Sequence, residues 1–173
     1  MGFKVLLIAT KFSQKENDFS ALSVKSTNTF SEYEDHGVAT AMTKNGYRIY
    51  YIMDNIEPNP KIFKKMSQDC ELQTLFIYEN LLCSFTSNWV NGQENWSVLH
   101  NCEEGGIEHI KTDGEVPKFF EEIKIEKHKL QEDEIDVDYY FEIAPDIFKK
   151  ITGYRHDIEL LTEEKKPWEI LER

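Results

Sequence analysis

Apolar residues in this chain fall in short runs, and four of those runs flank two Asn-Gly pairs. Val38–Met42 leads into Asn45-Gly46, and Tyr47–Met53 leads away. Ser84–Val90 leads into Asn91-Gly92, and Glu94–His100 leads away. Asn-Gly is the preferred two-residue hairpin turn because both residues tolerate positive φ. A two-residue turn at the first pair sets Val38, Thr40 and Met42 against Met53, Tyr51 and Ile49. At the second it sets Ser87 against Trp96, Phe85 against Val98 and Cys83 against His100. Residues 3–9 are almost continuously apolar and predict a strand buried on both faces. Leu75–Tyr78 predicts another strand, and Ile107–Lys111 a third member of the second hairpin's sheet. Tyr139–Ile143 reads as strand or extended chain.

The helical signals carry prolines. Asn59-Pro60 has the form of an N-cap followed by proline at the first helical position, with Ile62, Phe63 and Met66 inward. Pro117 opens a helix with Phe119, Phe120, Ile123 and Leu130 at helical spacing. Pro145 opens one with Ile147, Phe148 and Ile151 inward and Gly153 as its C-cap. Residues 11–35 are polar and give only a short helical hint at Glu16–Leu22. The expected architecture is α+β: one domain over residues 1–157, a mainly antiparallel sheet built from Asn-Gly hairpins, and short proline-started helices packed on one face. Residues 158–173 read as a tail, docked or partner-binding.

Composition sharpens this picture in three ways. The 22 aromatic residues among 173 can bury a large area, so a folded core is expected. No apolar run is long enough to cross a bilayer, and the short run at the start, followed by Lys11, reads as a strand rather than a leader. Three cysteines without framework spacing fit reduced thiols and a cytoplasmic location. The formal charge of −12 is unevenly spread: residues 1–100 carry 9 basic against 11 acidic residues, and residues 101–173 carry 11 against 21. Such a surface repels nucleic acid and anionic membranes and attracts a basic protein. The densest acid lies at Glu132, Asp133, Glu134, Asp136 and Asp138.

Catalytic signatures are missing from the pattern. No G-x-S-x-G elbow and no phosphate-cradling glycine loop occurs. The hairpin register sets Cys83 beside His100, with Cys102 and His109 near. These four are the candidates for a soft metal site, but structural zinc usually draws on close ligand pairs and only His100-x-Cys102 is one. No cofactor is expected. The run Gly153-Tyr154-Arg155-His156-Asp157 is chemically dense. Arg155 is expected to pair with Asp157, and Tyr154 and Arg155 are residue types that anchor interfaces.

These motifs together resemble a set of bacterial proteins of unassigned function. The shared features are Phe3–Leu6, Asn45-Gly46-Tyr47, Trp89–His100 in the form W-x-N-G-x3-W-x-V-x-H, Gly106–His109, and Gly153–Asp157. The small size, acidity and lack of a catalytic signature are similar to immunity proteins encoded beside secreted bacterial toxins. That resemblance implies a cytosolic, non-enzymatic inhibitor of a basic toxin domain. It would bind through Glu132, Asp133, Glu134, Asp136 and Asp138, with Tyr154 and Arg155 as anchors. Two alternatives stand beside it. One is a small hydrolase or metal-dependent enzyme using His100, His109 and His156 with nearby acids. The other is a structural module that self-associates through Trp168–Leu171. The oligomeric state is left open.

Overall fold

The computed structural model describes residues 4–34, 37–53 and 57–173. Among them, nine strands form one sheet in which every neighbouring pair is antiparallel. In chain order the strands are β1 (Lys4–Lys11), β2 (Lys25–Ser31), β3 (Val38–Met42), β4 (Arg48–Ile52), β5 (Glu71–Tyr78), β6 (Cys83–Val90), β7 (Gln93–Asn101), β8 (Lys111–Gly114) and β9 (Trp168–Glu172). Across the sheet they run β2-β9-β3-β4-β1-β5-β6-β7-β8. The helices are α1 (Lys15–Leu22), α2 (Pro60–Met66), α3 (Cys102–Gly105), α4 (Phe120–Asp133) and α5 (Ile143–Thr152).

The apolar start of the chain is the centre of the fold. β1 lies between β4 and β5, so both of its edges are hydrogen-bonded, and helices cover both of its faces. Val5, Leu7 and Ala9 pack beneath Ala144 and Phe148 of α5, whereas Leu6 and Ile8 pack with Phe63 and Met66 of α2 and Leu22 of α1. The α+β class and antiparallel sheet match the sequence reading, but helices cover both faces rather than one. The reason is β1 itself: a strand without polar alternation has two faces to bury. Further along the α5 side, Trp96 and Val98 of β7 meet Phe120 and Ile123 of α4 and Ile143 and Ile147 of α5. Burying each of the largest of these side chains contributes about 1.5–3 kcal/mol.

Local signals explain several helix ends. The Asn59 side chain accepts a hydrogen bond from the Lys61 amide at 3.0 Å, with Pro60 first in α2. Gly153 closes α5 at φ 84°, donating its amide to Lys149. Pro145 lies within the first turn of α5, where a missing N–H costs little. α4 starts at Phe120, after a turn in which the Pro117 carbonyl accepts the Phe120 amide. The strand expected at 107–111 instead runs Lys111–Gly114. Residues 140–142, expected extended, form a 3-10 turn into α5, initiated by the Phe141 amide donating to Asp138.

Both hairpins are shifted by one residue from the sequence reading. In the first, Thr43 and Tyr47 close a three-residue loop with Gly46 at φ 80°, so Val38, Thr40 and Met42 face Ile52, Tyr50 and Arg48. Asn45 is thereby free to donate its side-chain amide to the Ile151 carbonyl near the end of α5. In the second, Asn91 and Gly92 both take positive φ, as the Asn-Gly pair predicts. A bulge then intervenes. Trp89 faces Glu94 while Asn88 faces Trp96, leaving Asn95 as the extra residue. Beyond the bulge Ser87 meets Ser97, Phe85 meets Leu99 and Ser84 meets His100. A one-residue slip exchanges the two faces of a strand. Trp89 therefore packs with Phe63 on the α2 side while Trp96 packs with α4 and α5. Gly114 of β8 accommodates the bulge: at φ 70°, any Cβ there would come within 1.9 Å of the Asn95 carbonyl oxygen.

The C-terminal segment is part of the sheet. β9 inserts between β2 and β3, and Trp168 and Leu171 are buried. β2 eluded the sequence reading because it is an edge strand with little buried surface and no apolar alternation to read.

Candidate functional site

The bulge decides the fate of the cysteine–histidine cluster. Cys83 faces Asn101, and His100 faces Ser84 on the opposite side of the sheet. The cross-strand Cys83–His100 pairing expected from the sequence therefore does not form. Among the described residues, no group of three or more His, Cys, Asp or Glu side chains is placed to hold a metal ion. His109 instead accepts the Asn101 amide at its Nδ1, and Cys102 begins α3.

His100 is fully buried and bonded at both ring nitrogens. Nδ1 lies 2.7 Å from the His109 carbonyl oxygen and Nε2 lies 2.9 Å from Asp138 Oδ2. A carbonyl only accepts, so Nδ1 is the donor in the contact with His109. Ser84 stands directly across from His100, which invites a comparison with a Ser-His-Asp arrangement. With both nitrogens taken by oxygens, none is left to accept the serine proton, so the trio cannot act as a nucleophile and base. Asp138 also accepts the Phe141 amide through Oδ1. It is an internal support, whereas the remaining residues of the predicted acidic run, Glu132, Asp133, Glu134 and Asp136, are exposed.

Those exposed carboxylates have apolar company. α4 ends in Glu132 and Asp133 with no basic residue in its last turn, an arrangement that opposes the helix dipole and so does not stabilise the helix. The chain that follows presents Ile135, 80% exposed, and Val137, 43% exposed, between Glu134, Asp136 and Asp138. Leu130 and Ile125 on α4 are also exposed. Alongside runs a shallow groove of about 440 Å³ of mixed charge, walled by Glu121, Lys124, Ile125, His128, Lys129, Glu132 and Tyr140. His128 Nδ1 lies 2.8 Å from the Tyr140 hydroxyl, fixing the ring against the groove floor. Gln131, which nothing in the sequence singled out, is buried behind this surface and spans the loop with three hydrogen bonds.

The Gly153–Asp157 run is differently used from the sequence reading. Tyr154 is fully buried, its ring edge-on to Trp168 at 5.5 Å, and burial together with the nearby Glu34 charge pushes its hydroxyl pKa far up. Arg155 is also buried and bonds three carboxylates: Asp157 at 2.5 and 2.8 Å, Asp146 at 2.6 Å, and Glu142. The expected Arg155–Asp157 pair is present, but neither Tyr154 nor Arg155 offers surface to a partner. Burial lowers the His156 pKa, against the opposing pull of Asp157.

What the run does supply is one wall of a second acidic surface. His156 and Asp157 border a cleft of about 610 Å³ lined also by Glu32, Tyr33, Glu34, Glu159, Glu164 and Lys165. Its acids come from the β2–β3 connection and from the segment before β9. They are remote in sequence, so no local charge run announces them.

Both regions present exposed carboxylates, and the first adds a few exposed apolar side chains backed by buried polar groups that hold the backbone. No protein-family model, curated protein or solved structure matches this chain.

Proposed function

We propose that this chain is a binding protein that captures and neutralises a basic protein partner, in the manner of immunity proteins paired with bacterial toxins. One observation carries the reading: Ile135 and Val137 stand exposed within the same short segment as Glu132, Asp133, Glu134 and Asp136. Exposed apolar side chains rimmed by charge are characteristic of protein–protein contacts. The apolar pair would act as anchors, and the carboxylates would steer a cationic partner and set register. The overall charge of −12 works in the same direction.

The test is direct binding to the product of the adjacent gene, measured by surface plasmon resonance across a salt series. The expected result is a complex whose association rate falls steeply with salt. Changing Ile135→Asp and Val137→Asp together should weaken it at least about tenfold, mainly through faster dissociation. Absence of binding at low salt, or a double variant that binds as well as the wild type, overturns the proposal.

A further inference from the structure

Resting on that reading, we infer that Gln131 is the positioning residue of the recognition surface, setting the shape of residues 134–137 from behind. Its side chain is buried at the last turn of α4 and uses both ends. Nε2 donates to the Glu134 carbonyl at 3.0 Å and to the Val137 carbonyl at 2.8 Å, while Oε1 accepts the Tyr139 amide at 3.0 Å. The two carbonyls fix which end of the amide is nitrogen, because an oxygen there would face oxygen. One side chain therefore ties the first, last and following residues of the loop together.

A second tie holds the distal end. Asp138 accepts the Phe141 amide through Oδ1 and meets His100 through Oδ2, anchoring the residue next to Val137 to β7. With the backbone polar groups of Glu134, Val137 and Tyr139 satisfied inward, Ile135 and Val137 have no inward role and face solvent. A loop held in its binding shape loses less freedom on association, so affinity is gained without any contact by Gln131 itself.

The experiment uses the full chain with Gln131→Ala and Gln131→Glu. Amide hydrogen exchange is followed residue by residue. As a probe, a lysine-rich peptide carrying two leucines is titrated at low salt and read by amide NMR shifts. In wild type the Tyr139 amide should be protected, and the peptide should move the resonances of Ile135 and Val137. Gln131→Ala should speed Tyr139 exchange at least about tenfold and weaken the peptide several-fold, with exchange in β5 and β6 unchanged. Gln131→Glu retains an acceptor for Tyr139 but loses both donors. It should keep Tyr139 protected while still weakening the peptide. Unchanged Tyr139 exchange in Gln131→Ala overturns the inference. Lost protection with unchanged affinity overturns the positioning role alone. A wild-type peptide contact that avoids Ile135 and Val137 overturns the surface reading on which the inference rests.

Discussion

Replacing Arg155 with methionine removes the one cation that joins Glu142, Asp146 and Asp157 while keeping an apolar stem of similar length. The guanidinium is buried, but its partners are only partly so, with side-chain exposures of 32%, 26% and 46%. Hydrogen bonds to charged groups contribute about 1.5–3 kcal/mol each when well shielded. Solvent screening of half-exposed carboxylates cuts that sharply. Lys127, 2.6 Å from Asp146, compensates one of the three. The expected net loss is about 2–4 kcal/mol, a drop in the urea midpoint of about 1–2 M. Arg155→Lys should lose less, because an ammonium retains the charge but cannot fork to three carboxylates.

The pH dependence separates this cause from simple loss of packing. Burial pushes the Asp157 carboxyl upward, but the Arg155 hydrogen bond and the charges of His156 and Arg155 outweigh it, and the net shift is downward. A carboxylate with a depressed folded-state pKa contributes stability that is present above its unfolded value, about 3.9, and is lost as pH falls through the folded value. The gap between wild type and Arg155→Met should therefore be full near neutral pH and should shrink below about pH 4. Urea denaturation followed by circular dichroism at several pH values measures it. An equal gap at pH 3 and pH 7, or a gap under about 0.5 kcal/mol at pH 7, refutes the electrostatic account.

Deleting Asn95 removes the bulge but leaves Trp89 facing Glu94 and Asn88 facing Trp96, so Trp96, Val98 and His100 keep their faces and a cooperative thermal transition should be retained; its loss would show that the bulge itself is required. Truncation after Asp157 removes β9 from between β2 and β3 together with the buried Trp168 and Leu171, so the product should not fold cooperatively, as checked by circular dichroism. Phe148→Ala empties a fully buried site beneath α5 and should cost about 3–5 kcal/mol in chemical denaturation. The Cys70 thiol is pushed up to about 11 by burial and by the charges of Asp18, Asp69 and Glu71. Only about one in a thousand Cys70 side chains would then be thiolate at pH 8, so a thiol reagent should leave it unmodified until denaturant is added, as read by mass spectrometry.

The chain's own pattern determined a good deal. The nearly continuous apolar start pointed to a buried central strand, since the run is too short for a helix buried on all sides. Asn91-Gly92, Asn59-Pro60 and Gly153 announced a turn, a helix start and a helix end, because each relies on backbone preferences that act locally. The exposed acids at 132–136 were legible as a charge run. What only the tertiary structure decided is everything that depends on register and on distant partners. Asn95 carries no mark of a bulge, yet its extra place moves His100 away from Cys83 and onto Asp138. Tyr154 and Arg155 have the composition of interface anchors, but the carboxylates of Glu142, Asp146 and Asp157 and the indole of β9 draw them inside. Gln131 resembles any polar helix residue until the loop folds back over it. Local preferences act over a few residues and can be read in order; strand register, cross-chain ion pairs and side-chain clamps arise from packing between segments that the sequence keeps far apart.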